Sequence, residues 1–299
     1  MLFRSLKTNY KVHCKEDGSP CADHCRIFAL SDSGIEEFEH KCSHQHNLQC
    51  DMCESLKSVV EEIEISLHDE QGTLRFYSTE QQEDLLYDFL QAKKHILDWK
   101  AHILRSENQD QAKQHVLRSL DETSALITMD WAMKFQCQKY REKQAEWFGK
   151  RGLSWHVSSV ILKTEQAEKP AVRTYVHLFD SCTQDWFAVV SILENLLLTL
   201  KGHNPSIHSV NLRSDEAGCY HNNLLLASIN DISKRVGIVV KSYDFSEPQH
   251  GKDICDRIIC PMKLSVRKYC DEGHDIQSAQ DMREALLERP VQGVTVAVC

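Results

Sequence analysis

The chain has 299 residues, of which 41% are hydrophobic and 26% charged, as is usual for folded soluble proteins. Its formal net charge is −9 at pH 7, which argues against a nucleic-acid partner unless positive charge is concentrated locally. The apolar runs are shorter than the roughly 20 residues that cross a membrane, and the first residues lack the apolar core of a signal peptide. We therefore expect an intracellular protein of one to three domains with no membrane partner.

Cysteine and histidine are concentrated near the start of the chain. Six of the 13 cysteines lie between Cys14 and Cys53, and in an intracellular chain this density favours metal ligation over disulfides. Cys50 and Cys53 have the CxxC spacing with which two thiolates bind one ion from a tight turn. With Cys14 and His40 set aside, eight ligands remain, enough for two tetrahedral zinc ions. They are Cys21, His24, Cys25, Cys42, His44, His46, Cys50 and Cys53.

The spacing of these ligands leaves the number and pairing of the zinc ions open. It does not match a C₂H₂ finger, and one zinc ion with spare ligands or a loop of free cysteines are the alternatives. Because the segment contains little apolar material, a bound metal would have to contribute its folding energy. We predict a zinc-binding segment over residues 14–53 that binds DNA or protein, or that braces its neighbour.

Residues 54–123 are predicted to form a helical linker region. The pattern over residues 54–67 is helical, and residues 68–80 form a polar link. Apolar residues recur at helical spacing from Glu83, and a second helix is predicted near residues 111–120. We interpret the apolar stripe as core packing or a helix–helix seam rather than a cofactor site.

From residue 124 the pattern changes to short strands that alternate with helices. Strands are predicted over residues 124–130, 154–162, 172–179, 207–213 and 238–245. Helices are predicted over residues 185–200, 222–235, 251–269 and 277–289. This order predicts three antiparallel strands followed by α/β crossovers that extend the sheet. We place this α/β core at residues 124–289. The sequence beyond it is apolar and ends abruptly, so we expect that the core is truncated at its C-terminus.

Side chains at both ends of the helix over residues 185–200 match the usual capping signals. Asp180 and Asp185 can accept hydrogen bonds from the unpaired amides of a first helical turn, so we predict that they cap this helix. The Lys201–Gly202 pair is typical of a helix end, because glycine readily adopts the left-handed conformation found there.

Residues 134–151 combine six basic residues with Tyr140, Trp147 and Phe148. Basic side chains interleaved with aromatic rings suit the backbone and the bases of a nucleic-acid strand. The alternative interpretation is a solvated loop whose aromatic rings are anchored in the core.

Carboxylates follow two of the predicted strands and recur on a later helix. Asp130 ends the first strand of the core, and Asp215 follows the fourth. Asp253 and Asp256 are three residues apart and share one face of the helix after the fifth strand. Converging carboxylates repel one another unless a cation lies between them. The pattern therefore predicts hard divalent metal ions and a phosphoryl-transfer site.

The order of elements and the placement of these acids resemble the ribonuclease H-like fold of DDE/DDD transposases and retroviral-type integrases. The resemblance covers about residues 125–271 and is carried by TMDWAMK at Asp130, LRSDEAGCYHN at Asp215 and SEPQHGKDICDR around Asp256. These sequence stretches also resemble those of a largely uncharacterised group of transposon-derived animal proteins, in which a Cys/His-rich segment precedes a transposase-like core. The expected fold is a ribonuclease H-like mixed sheet with flanking helices, preceded by a small zinc-binding segment and helices.

The resemblance implies the roles of the acids. Asp130 and Asp215 match the first and second acids, and Asp256 is the preferred third acid, with Asp253 and Glu247 as alternatives. Two Mg²⁺ or Mn²⁺ ions would catalyse in-line phosphoryl transfer, with Asp130 bridging both ions and the other two acids holding one each. Aspartate in place of the commoner glutamate shortens the reach of the third acid by one methylene.

The resemblance also implies residues beside the ions, a partner and a location. Asp253, Lys252 and Arg257 are expected to bind the ions and the scissile phosphates. DNA is the expected partner, a second copy of the chain is another candidate, and the expected location is the nucleus. The expected activity is nicking and strand transfer of DNA. One alternative is a domesticated, catalytically inactive module that binds DNA or protein in a zinc-dependent way. Another is a ribonuclease H-like nuclease of a different kind, since the same carboxylates also serve hydrolysis.

Overall fold

A computed structural model describes most of the chain. The ranges described are residues 18–30, 42–68, 76–163, 170–247 and 253–299. The chain divides into two compact units, Met1–Gln111 and Ala112–Cys299. Among the helices in the described ranges, none combines the length and the apolar character that a membrane span requires.

The first unit contains the Cys/His-rich segment and helices. Its elements are a 3₁₀ turn (Ala22–His24), α1 (Arg26–Ala29), α2 (Asp51–His68) and α3 (Thr79–Ser119), the last of which runs on into the second unit. Cys53 of α2 packs with Ile103 and Leu104 of α3 in a small buried cluster. The CxxC pair is therefore held partly by apolar packing as well as by any metal.

α3 is one uninterrupted helix of 41 residues. The predicted division into a helix from Glu83 and a second helix near residues 111–120 is wrong. Neither glycine nor proline occurs between Thr79 and Ser119, so the backbone contains none of the residues that most strongly interrupt helices.

The second unit is built on a six-stranded mixed sheet with the strand order β5-β4-β1-β2-β3-β6. The strands are β1 (Ser124–Trp131), β2 (Ser154–Leu162), β3 (Ala171–Phe179), β4 (Ser209–Asp215), β5 (Val239–Ser246) and β6 (Val294–Val298). β1, β2 and β3 pair antiparallel, whereas β4 pairs parallel with β1 and β5 parallel with β4. The predicted antiparallel strands and the crossover extension are confirmed.

β6 is a strand that the sequence predictions do not contain. It pairs parallel with β3, on the side of β3 away from β2. Its sequence, Val-Thr-Val-Ala-Val, is rich in β-branched residues, which is the signal that could have identified it.

Two layers of helices cover the sheet. α4 (Trp186–His203) and α5 (Asn223–Val236) share one buried core with the sheet. α6 (Ile254–Asp271) and α7 (Ala279–Glu288) share a second core on the opposite face. The coarse prediction of an α/β protein with a mixed sheet and flanking helices is confirmed.

The alternation of side chains along β1 decides which face carries the first acid. Ile127 and Met129 belong to the core beneath α4 and α5. Successive strand side chains point to opposite faces, so Asp130 points to the other face. Val157, which pairs with Asp130 across the β1–β2 ladder, belongs to the core beneath α6 and α7. Asp130 therefore lies on the face covered by α6.

The two predicted helix-capping aspartates have different roles. Asp185 caps α4 as predicted, and its Oδ1 accepts a hydrogen bond from the amide of Ala188 at 3.0 Å. The prediction for Asp180 is wrong, because its Oδ1 instead accepts from the amide of Ala279 at 2.6 Å, in the first turn of α7. Asp180 thus connects the end of β3 to a helix 99 residues further along the chain.

The predicted end of α4 is also corrected. Gly202 lies within α4, which continues to His203 and is capped by Asn204. Gly237, by contrast, ends α5 with a positive φ of 74°, a left-handed conformation that glycine adopts without steric cost.

Candidate metal centres

Asp130 and Asp215 lie at the ends of adjacent parallel strands. The last register pair between β1 and β4 joins Thr128 to Arg213. Two residues further along each strand, Asp130 lies level with Asp215, and neighbouring strands are about 4.8 Å apart. Side chains at matching positions of neighbouring strands point to the same face. Both carboxylates therefore lie on the face of the sheet that α6 covers.

The start of α6 lies against the same end of β1. The buried Sγ of Cys255 donates to the carbonyl oxygen of Thr128 at 3.2 Å and lies 3.5 Å from the hydroxyl of Ser159. Thr128 is two residues before Asp130, and Asp256 is the residue after Cys255. This contact brings the first turn of α6, with its carboxylate, to the end of β1.

Asp215 and Asp256 are close enough to Asp130 to affect its carboxyl group. Burial, together with the smaller effect of the negative charges of Asp215 and Asp256, raises the pKa of the Asp130 carboxyl to about 7. Each of these effects disfavours the charged form of a carboxyl group, and a cation between the carboxylates would offset them. Carboxylate oxygens are also the ligands that Mg²⁺ and Mn²⁺ prefer. The donor set therefore fits hard divalent ions.

Asp253, the alternative third acid, is engaged in local contacts. Its Oδ1 accepts from the amide of Ile254 at 2.7 Å, so it caps α6, and its Oδ2 pairs with Nζ of Lys113 at 2.5 Å. Asp256, in the first turn of the helix, is exposed and contributes to the raised pKa of Asp130. The contacts therefore favour Asp256 over Asp253 as the third member of the carboxylate group.

The remaining residues predicted around the acids are placed as follows. Glu247 is buried directly after β5, and Arg257 is exposed on α6 beside Asp256. Lys252 lies outside the described residues. The second acid is oriented by its own turn, because Oδ1 of Asp215 accepts from the amide of Ala217 at 3.0 Å.

Four ligands of the first unit form one compact group, which we call the four-ligand group. They are Cys25, Cys42, His44 and His46, and their ligand atoms all lie within 4.8 Å of one another. Sγ of Cys25 is 3.6 Å from Sγ of Cys42 and 3.6 Å from Nε2 of His44. A tetrahedral zinc ion with bonds of about 2.0–2.3 Å separates its ligands by about 3.3–3.8 Å, so the spacing fits zinc.

His46 gives further support for a metal ion in the four-ligand group. Its Nε2 is buried and has no hydrogen-bond partner among the described residues. A buried polar atom without a partner carries an energetic cost that a metal bond would remove. His44 differs, because its Nε2 also lies 3.0 Å from the carbonyl oxygen of Ser19.

His24, Cys50 and Cys53 form a second set, the three-ligand group, whose ligand atoms also lie within 4.8 Å of one another. Nε2 of His24 is 3.1 Å from Sγ of Cys53. Burial raises the pKa of the Cys53 thiol to about 12, and a bound zinc ion would deprotonate it. Cys21 belongs to neither group.

The structure therefore indicates a pairing that the spacing left open. His24 and Cys25 are adjacent in the chain, yet they belong to different groups. This arrangement supports two ions rather than one ion with spare ligands. Among the described residues, only these two groups bring three or more ligand atoms within 4.8 Å, so the three carboxylates are spread more widely. Carboxylate oxygens more than 4.8 Å apart could still hold a pair of ions about 4 Å apart, because Asp215 and Asp256 would then bind different ions.

Residues 109–299, more than half of the chain, match the family described as Domain of unknown function (DUF8701). The chain belongs to this family. Comparisons with curated proteins and with solved structures give no match. The DUF8701 region includes the complete sheet and the three carboxylates, whereas both Cys/His groups precede it.

Within the DUF8701 region, residues 134–151 lie between β1 and β2. They contain a short 3₁₀ turn and form isolated bridges from Phe135 to Leu153 and from Gln138 to Ile276. Trp147 and Phe148 are 60% and 75% exposed, so these rings are not anchored in the core. Lys150 pairs with Glu142 and also lies over the ring of Trp147, at 4.9 Å from its centroid. The loop thus presents aromatic rings beside positive charge at the surface.

Two buried polar residues of the DUF8701 region lie near the chain segments that carry Asp130 and Asp215 and were not predicted from the sequence. Tyr220 follows Asp215 in the chain, and His156 lies on β2, opposite the residue after Asp130. A possible signal was the presence of His156 and Ser158 in an otherwise apolar strand, because buried polar groups require partners.

Proposed function

We propose that the chain is a transposase- or integrase-like enzyme that nicks and joins DNA with two divalent metal ions. The observation that carries the proposal is the level placement of Asp130 and Asp215 at the ends of adjacent parallel strands, with Asp256 in the first turn of α6 held against the end of β1. The raised pKa of Asp130 agrees with this placement. Residues from two strands and a helix thereby combine into one strongly acidic group. Clusters of this kind are costly to the fold and are common at functional sites.

The topology adds support. β1, β2 and β3 form an antiparallel meander, and β4 and β5 extend it on the far side of β1 by parallel pairing. The acids follow the first and fourth strands and lie at the start of α6. A ribonuclease H-like core has the same order and the same placement of acids, and β6 is an addition at the outer edge of β3.

In the proposed reaction, the acids would hold Mg²⁺ or Mn²⁺ ions, which activate the attacking oxygen and stabilise the leaving oxygen. Asp130 would be the acid that both ions share, as the resemblance implies. Arg257, exposed beside Asp256, and Lys252 are the proposed partners of the scissile phosphate.

The proposed DNA surface is the exposed loop over residues 134–151. Tyr140, Trp147 and Phe148 are exposed and could stack on unpaired bases. Lys134 and Arg151, at the two ends of the loop, are exposed and could contact the backbone. This local surface would allow strand binding despite the net charge of −9. A DNA substrate implies a nuclear location, and strand transfer at two ends would involve a second copy of the chain.

The second candidate is a domesticated, catalytically inactive module that binds DNA or protein and requires zinc. The observation that favours it is the compactness of the Cys/His groups, whose ligand atoms are closer together than those of the carboxylates. In this case the acids would be a remnant, and zinc would be the functionally important metal.

Nicking of supercoiled plasmid DNA with Mg²⁺ or Mn²⁺ tests the proposal. We expect metal-dependent nicking that is lost in Asp130→Asn and in Asp215→Asn. Asp231→Asn, at an exposed position of α5, is the matched control and should retain activity. Nicking that persists in both site variants, or that does not occur with either metal in the wild type, would contradict the enzyme and favour the zinc-dependent module.

A further inference from the structure

The hydroxyl of Tyr220 is buried behind the carboxylates and bonded on two sides. Tyr220 is 1% exposed. Its Oη accepts from the backbone amide of Trp131 at 2.5 Å and lies 3.0 Å from Nε2 of His156. Because the amide can only donate, the single hydroxyl proton is directed to His156. Nε2 of His156 is therefore the acceptor, and the imidazole proton lies on Nδ1, which is 3.3 Å from the hydroxyl of Ser158.

The geometry of the sheet explains why this hydroxyl is needed. The amide of Ala132 donates to the carbonyl of Trp155 on β2 at 3.1 Å. Amides alternate in direction along a strand, so the amide of Trp131 points to the other side, toward β4. However, β4 ends at Asp215, and a buried amide without a partner destabilises the fold. The hydroxyl of Tyr220 takes the place of the missing strand carbonyl.

This hydrogen bond connects the two chain segments that carry the first two acids. Trp131 directly follows Asp130, and Tyr220 lies five residues after Asp215. The intervening turn is compact, because the amide of Tyr220 donates to the carbonyl of Ala217 at 2.8 Å and the amide of Ala217 donates to Asp215. A movement of Tyr220 would therefore change the separation of the two carboxylates.

We propose that Tyr220, held by His156, is a positioning residue that sets the separation of Asp130 and Asp215 for divalent metal binding. The inference rests on the proposed function, since it concerns the same acids. It adds that the buried polar pair, which touches neither metal nor substrate, tunes the affinity for the ions. Residues that orient metal ligands typically change affinity by about 10–100-fold when they are replaced.

The test is a titration of the full-length, zinc-loaded chain with Mn²⁺. The electron paramagnetic resonance signal of free Mn²⁺ measures how much of the ion is bound. We expect Tyr220→Phe to weaken Mn²⁺ binding at least about tenfold and to change the spectrum of the bound ion. Tyr175→Phe is the matched control, because the Tyr175 hydroxyl also lies within hydrogen-bond distance of a histidine nitrogen, Nδ1 of His203, at 3.3 Å. This control should bind Mn²⁺ like the wild type.

A second pair of variants keeps the test decisive if Tyr220→Phe does not fold. His156→Gln retains an acceptor for the hydroxyl and should bind Mn²⁺ nearly like the wild type, whereas His156→Leu should bind it more weakly. If the Tyr220 and His156 variants bind Mn²⁺ as tightly as the wild type while Asp130→Asn does not bind it, the positioning role is overturned. The proposed metal site at the carboxylates would then still stand. No Mn²⁺ binding by the wild type would overturn both.

Discussion

Asp215 lies level with Asp130 at the ends of two adjacent parallel strands, and its negative charge adds to the rise of the Asp130 pKa to about 7. Asp256 acts in the same direction from the first turn of α6. The fold thus holds acidic groups together at a cost to its own stability, and that cost leads to the first prediction.

Replacing Asp130 by asparagine should stabilise the metal-free core at neutral and alkaline pH. An aspartate whose folded pKa exceeds its unfolded pKa destabilises the fold progressively as pH rises between the two values. We expect Asp130→Asn to add ~2 kcal/mol to the free energy of unfolding at about pH 8, allowing for residual solvent exposure, and about half of that near pH 5.5. Denaturant unfolding at both pH values measures this.

Asp231→Asn serves as the control for that experiment, because the same chemical change is made at an exposed position of α5. Addition of Mg²⁺ should stabilise the wild type and leave Asp130→Asn unchanged. A variant that is less stable than the wild type at both pH values would contradict the assignment of Asp130 as a strained acid.

We predict that Asp253 has a structural role and that Asp256 binds metal. Asp253 caps α6 and pairs with Lys113. Asparagine can still cap the helix but loses the charge that pairs with Lys113, so Asp253→Asn should lower stability by up to about 1 kcal/mol and leave Mn²⁺ affinity nearly unchanged. Asp256→Asn should have the opposite effect, with weaker Mn²⁺ binding and little change in stability. Thermal unfolding and Mn²⁺ titration of both variants measure these effects, and the reverse pattern would make Asp253 the third acid.

The two Cys/His groups predict two zinc ions per chain. Cys42→Ser removes a ligand of the four-ligand group, and Cys50→Ser removes one of the three-ligand group. Each variant should therefore retain one zinc ion, as measured by elemental analysis of the purified protein. Cys21→Ser is the control and should retain two, because Cys21 belongs to neither group. Chelators should melt the segment over residues 14–53, and purified wild-type protein without zinc would contradict both sites.

The exposed aromatic loop predicts binding of unpaired DNA. Trp147→Ala and Phe148→Ala should each weaken the binding of a single-stranded oligonucleotide by about 1–3 kcal/mol, the usual contribution of one stacked base. Fluorescence anisotropy measures this, and Phe187→Ala is the control, since Phe187 is exposed on α4 instead. Equal losses in all three variants would indicate nonspecific destabilisation rather than stacking.

Local patterns predicted the parts of the fold that depend on local chemistry. The alternation of apolar residues identified β1 to β5 and the helices between them, and Gly237 correctly ended α5. The acids were found because each follows a strand or begins a helix. The antiparallel pairing of the first three strands and the extension of the sheet by crossovers also followed, since short connections and crossovers leave few arrangements.

Long-range contacts account for what the sequence did not predict. Asp180 has a capping aspartate's chemistry, but its partner amide lies 99 residues away. The assignment of zinc ligands to two groups depends on the directions in which the adjacent side chains of His24 and Cys25 point. The spacing of the ligands along the chain does not determine these directions. Tyr220 gave no signal because a buried tyrosine is usually a core residue, and its value here comes from the strand that ends beside it.

β6 has a consequence for the solubility of shortened variants. It covers the outer side of β3, so that in the described part of the chain this edge of the sheet is a strand of five residues rather than one of nine. Long unpaired strand edges recruit other chains, and short ones do so less. A variant that ends before residue 294 would leave the β3 backbone uncovered, and light scattering should then detect concentration-dependent aggregation that the full-length chain does not show.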